Sequence, residues 1–93
     1  MKIRLVKVRR VRALPDYRLE VMFSDGMSGV ADLIDFVMAD GSVVQPLRDP
    51  GYFAEVFLEL GVPTWPNGCD IDAIALHMRM EEQGLLRAAA AAE

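Results

Sequence analysis

From Tyr17 to Ser24 the chain alternates Tyr17, Leu19, Val21 and Phe23 with Arg18, Glu20, Met22 and Ser24. This period-two pattern predicts a strand with one buried and one wetter face. Residues 3–13 are β-branched and basic and predict a strand before it. Val8 and Val11 differ in parity there, so a bulge near Arg9-Arg10 is needed to keep both on one face. Leu14-Pro15-Asp16 predicts the first turn. Ser24-Asp25-Gly26 predicts the second, because Asp-Gly readily takes positive φ, and residues 27–32 return as a third strand.

Helical spacing begins at Asp32-Leu33-Ile34-Asp35, where Asp32 is placed to cap and Asp35 to sit in the positive first turn. Leu33, Phe36 and Val37 form a short apolar face that Asp40-Gly41 ends, and Val43 to Leu47 leads back to the core. Asp49-Pro50 predicts a second helix start with proline at the first helical position, anchored by Tyr52 and Phe53. Residues 54–60 fit either period. A strand is favoured because Gly61-Val62-Pro63 reads as a tight turn leading to an extended Thr64-Trp65-Pro66, with Pro63 and Pro66 blunting an edge. Asp72 caps a last helix, with Ile71 and Leu76 at the staple positions and Gly84 at its end. The expected fold is α+β: a small antiparallel sheet of about five strands in the order β-β-β-α-α-β-β-α, with short helices. One domain is expected over 1–86, with residues 87–93 a frayed, alanine-rich tail.

Composition narrows this picture. With 93 residues and 53% apolar content, the chain is globular and close to the lower size limit for independent folding. High apolar content in so small a domain points to a partner surface, most simply a second copy in a homodimer. A single cysteine excludes an internal disulfide. Basic residues interrupt Met1 to Leu14, so no secretory signal is expected there. No apolar run is long enough to span a bilayer, and the cytoplasm is the expected compartment. The net charge of −4 is unevenly spread. Lys2, Arg4, Lys7, Arg9, Arg10 and Arg12 fill the first twelve positions with no acidic group among them. Such a block is a candidate nucleic-acid contact through Lys7, Arg9, Arg10 and Arg12. The acidic pI of 4.9 and the absence of interleaved aromatics argue against it, and a basic strand among acidic neighbours is the expected outcome.

The densest segment is Trp65-Pro66-Asn67-Gly68-Cys69-Asp70-Ile71-Asp72, which holds the only tryptophan and the only cysteine. Cys69 precedes a helix, which can activate a thiol. The only histidine, His77, lies eight residues on, about 12 Å along a helix, too far to serve as its base. A small buried side chain is the ordinary reading of Cys69, and a partly exposed helix position that of His77. Asn67, Asp70 and Asp72 lack the regular alternation of a calcium loop, so no metal site is assigned and no cofactor is implied. A turn at Asn67-Gly68, local amide contacts at Asp70 and a cap at Asp72 account for them. Trp65 has two readings: a core residue with its N–H bonded to a backbone carbonyl, or one wall of a ligand groove with Asn67, Asp70 and Tyr52.

The ordered set Tyr17-x-Leu19, Phe23-Ser24-Asp25-Gly26, Asp32-Leu33, Leu47-Arg48-Asp49-Pro50-x-x-Phe53 and Trp65-Pro66-Asn67-Gly68-x-Asp70-Ile71 resembles the small bacterial domain-of-unknown-function family 2442. The resemblance covers about residues 3–76. It implies a compact α+β domain with an antiparallel sheet and short helices. It also implies a protein that stands alone or is fused to a helix-turn-helix domain. Such proteins are often encoded beside another small uncharacterised family, an arrangement like a toxin–antitoxin pair. No catalytic residues are established for the family, so none carry over. Some relatives bear a molybdenum-cofactor guanylyltransferase label, but this chain has no Gly-rich nucleotide loop followed by a basic residue. The expected function is a non-enzymatic protein-interaction module, such as the antitoxin-like half of a two-gene system. The alternatives are a ligand-binding domain or enzyme using a cleft near Trp65 and Asp70, and a nucleic-acid-associated regulator using the basic strand.

Overall fold

A computed structural model describes residues 5–88. Three strands, β1 (Val8–Leu14), β2 (Arg18–Phe23) and β3 (Met27–Asp32), form an antiparallel meander. The helical turns α1 (Ile34–Val37) and α2 (Pro50–Phe53) follow, separated by a 3-10 turn over Gln45–Arg48. A second hairpin, β4 (Phe57–Glu59) and β5 (Val62–Thr64), leads to the longest helix, α3 (Ala73–Glu82). A short β6 (Arg87–Ala88) closes the described chain. The sheet order is β1-β2-β3-β6, with β4-β5 as a separate ribbon. The fold is a small α+β domain.

The period-two pattern places Leu19, Val21 and Phe23 on the core face of β2, all buried. The bulge expected at Arg9-Arg10 is present: Val8 pairs with Phe23, but Arg10 pairs with Met22. The extra residue brings Val8, Val11 and Ala13 to the same face. The first strand is shorter than the expected 3–13. Because β2 ends at Phe23, Lys7 has no ladder partner and instead exchanges bonds with Ser24, accepting from its N–H at 2.7 Å and donating to its Oγ at 3.0 Å. Residues 3 and 4 lie outside the described chain.

Local signals account for most element ends. Asp49 accepts from the Gly51 N–H at 3.1 Å, with Pro50 at the first helical position. Asp72 caps α3 through the Ala75 N–H at 2.9 Å, and Leu76 is buried at the staple position. Asp32 accepts from Ile34 N, although Leu33 is the capping residue by conformation. Helix α1 stops before Asp40-Gly41, because Arg48 reaches back to the carbonyls of Val37 and Ala39 at 2.7 and 3.1 Å. At the other end of α3, Gly84 takes φ +71°. Its N–H bonds Glu81 O while the Leu85 N–H bonds Met80 O, the paired bonds of a Schellman stop.

Three expectations need correction. The second hairpin turns at Leu60-Gly61, not at Gly61-Val62-Pro63: Glu59 pairs directly with Val62, and both turn residues take positive φ, +53° and +80°. That is the two-residue geometry whose twist suits a hairpin. Trp65 therefore falls just beyond the strand. Second, Arg87 and Ala88, expected in a loose tail, pair with Ser28 and Met27 as β6. Gly29 permits this crossing, since a Cβ there would lie 2.1 Å from the Leu85 carbonyl oxygen. The rest of the expected tail, residues 89–93, lies outside the described chain. Third, His77 is buried: its Nε2 lies 2.8 Å from Asp25 Oδ2 and its ring meets Phe23 edge-on at 4.7 Å. Asp25, in the β2–β3 turn, is 52 residues away in sequence, so spacing along α3 alone does not reveal the pairing.

Candidate functional site: the open face of the sheet

The Trp65–Asp72 segment folds as a connector. The Gly68 N–H bonds Trp65 O at 2.9 Å, with Pro66 at the second turn position and Gly68 in the left-handed region. The Trp65 N–H then bonds Cys69 O at 2.8 Å, and the Ile71 N–H bonds Pro63 O at 3.0 Å. Asn67 binds both ways, its Oδ1 accepting from Cys69 N and its Nδ2 donating to Val43 O at 2.9 Å. The loop thus ties β5 to α3 and to the segment before the 3-10 turn.

Trp65 is 0% exposed. Its Nε1 donates to Phe53 O at 2.9 Å, and its ring sits between Phe53 and Phe36, at centroid distances of 5.7 and 6.3 Å. Tyr17 extends this aromatic group, meeting Phe53 edge-on at 5.6 Å and donating its hydroxyl to Arg48 O. Tyr52 is half-buried against the core and Asp70 is exposed. Trp65 offers no surface to a ligand, so Trp65, Asn67, Asp70 and Tyr52 do not line a common cleft. Cys69 is buried, and burial, aided by the Asp70 carboxylate, pushes its thiol above the ordinary range. That is the opposite of an activated nucleophile. Among the described residues no group of three or more His, Cys, Asp or Glu is placed to hold a metal ion.

The surface that does gather residues is the other face of the four-stranded sheet. The registers align Arg10, Met22, Ser28 and Arg87 in one row across all four strands. A second row is Arg12, Glu20 and Val30. This face forms the floor of an open trough of about 1120 Å³, with Val56, Phe57 and Leu58 and, elsewhere on its lining, Gly84 and Leu85. Val30 and Phe57 are 36% and 43% exposed. Arg12 is held by Glu20 at 2.8 Å, whereas Arg10 and Arg87 make no ion pair among the described residues. Of the four basic residues singled out in the sequence, Arg10 and Arg12 line the trough and Lys7 and Arg9 do not. Met22, Val30, Phe57 and Arg87 went unmarked. Period-two parity already set Met22 opposite the core, but only strand pairing brings Arg87 into its row, and only the packing of the β4-β5 ribbon beside the sheet brings Phe57 to the same trough.

A four-stranded antiparallel sheet packed on one face by helices, with its other face open, defines a small α+β domain. A family model described as "Protein of unknown function (DUF2442)" matches residues 8–81, and the chain belongs to this family. Neither the search of curated proteins nor that of solved structures returned a match. No helix of the described residues is long and apolar enough to cross a membrane.

Proposed function

We propose that the protein is a non-enzymatic protein-interaction module and that the open sheet face is its binding surface. The observation that carries this reading is apolar surface on the face turned away from the core: Met22 and Val30 on the strands, with Phe57 beside them. The core is already closed by the opposite face and α3, so folding does not require these side chains to be apolar. Contiguous exposed apolar surface with a polar rim is the usual signature of a partner site. The partner is a small protein encoded by a neighbouring gene, as in a toxin–antitoxin-like pair. Co-expression with that product should give a complex that stays together on size exclusion. The double variant Val30→Asp, Phe57→Asp should separate it while keeping the circular dichroism of the native domain. Clean separation of the wild-type proteins, or a complex indifferent to the double variant, would count against this surface. A homodimer is the second occupant to test. Light scattering showing two copies that the same variant converts to one would assign the trough to self-association.

A further inference from the structure

The trough differs from the rest of the molecule in charge. The whole chain carries −4, yet among the described residues the lining holds Arg10, Arg12 and Arg87 against one acid, Glu20. Glu20 is occupied by Arg12, so the field in the trough comes chiefly from Arg10 and Arg87. These two stand at opposite ends of one cross-strand row, with Met22 and Ser28 between them. Three inter-strand steps separate their backbones by about 14 Å. Both side chains are exposed and long enough to swing toward a ligand. Between them the floor is apolar or small, and Phe57 and Leu58 bound the trough.

Resting on the reading of the protein as an interaction module, we infer that the trough binds an acidic segment of a partner protein. Apolar side chains of that segment would sit over Met22, Val30 and Phe57, and its carboxylates would pair with Arg10 and Arg87. Paired arginines favour carboxylates because each guanidinium fork donates two parallel N–H bonds to the two carboxylate oxygens. Two copies joined trough to trough across a two-fold axis would set Arg10 and Arg87 against like charges, which favours a different chain over symmetric self-pairing. A nucleic acid is the less favoured occupant: among the described residues of the lining, two unpaired arginines neutralise few phosphates, and one half-exposed ring, Phe57, provides little stacking.

The test uses the full chain and three fluorescein-labelled probes: a 12-residue peptide of Glu, Leu and Ser, its Lys-for-Glu counterpart, and a 12-nucleotide single-stranded DNA. Fluorescence anisotropy at low and high salt should show binding of the acidic peptide alone, weakened by salt. The double variant Arg10→Glu, Arg87→Glu should bind it at least tenfold more weakly. Arg9→Glu, an exposed position outside the lining, should leave binding unchanged. Equal binding of the lysine peptide, tighter binding of the DNA, an equal loss in Arg9→Glu, or no loss in the double variant would each overturn the inference. The complex with the neighbouring protein separates the two failures. If it survives Arg10→Glu, Arg87→Glu but not Val30→Asp, Phe57→Asp, the interaction module stands and the acidic partner falls.

Discussion

Replacing Trp65 by phenylalanine tests whether the segment richest in unusual residues is architecture or site. The indole is fully buried and gives its N–H to Phe53 O at 2.9 Å. Phenylalanine keeps an aromatic ring between Phe36 and Phe53 but removes the donor. A buried carbonyl left without its partner costs about 1–3 kcal/mol. The smaller ring also leaves a void, adding about 1 kcal/mol. The expected loss is therefore about 2–4 kcal/mol, against a total stability of roughly 5–14 kcal/mol for a domain of this size. At 4–8 °C per kcal/mol, even the lower figure shifts Tm down by about 8–16 °C. Urea unfolding followed by far-UV circular dichroism measures this, with the slope against denaturant unchanged. The wild-type protein should show blue-shifted, poorly quenched tryptophan fluorescence, because Trp65 is the only tryptophan and is sealed. Binding of the acidic peptide by folded Trp65→Phe should match wild type. A stability change under about 0.5 kcal/mol, or a binding loss without a stability loss, would refute the reasoning.

Other consequences follow from single contacts. Cys69 should react slowly with a thiol reagent at neutral pH in the native protein and rapidly in denaturant. Burial raises the folded thiol pKa above its unfolded value, so its stabilising contribution is full below the unfolded pKa and is lost as pH rises through the folded one; Cys69→Ala should flatten this alkaline decline in a urea titration. Gly29→Ala places a methyl group 2.1 Å from Leu85 O and should cost about 1–3 kcal/mol. Trypsin should then cut at Arg87 faster than in wild type, as β6 loses its place beside β3. Leu60→Asn should stabilise by about 0.5–1 kcal/mol, because leucine sits at φ +53°, 84% exposed, in a turn position that asparagine tolerates better. A loss of stability there would mean that the leucine makes a contact its exposure conceals.

The sequence by itself determined what short-range chemistry controls. Alternation set the core face of β2, parity demanded the bulge before Arg10, and Asp49-Pro50, Asp72 and Gly84 marked where helices begin and end. These are signals between residues a few positions apart, carried by caps, turn dihedrals and side-chain period. Tertiary structure decided everything that depends on which segments meet. His77 is buried because Asp25 comes from a distant turn, and β6 exists because Gly29 lets the chain cross over β3. The seal over Trp65 needs Phe36 and Phe53, which reach it from separate helical turns. The trough lay furthest from view: Arg10, Met22, Ser28 and Arg87 become one row only when four strands pair. Propensity is local along the chain, whereas a binding surface is a property of distant residues brought side by side.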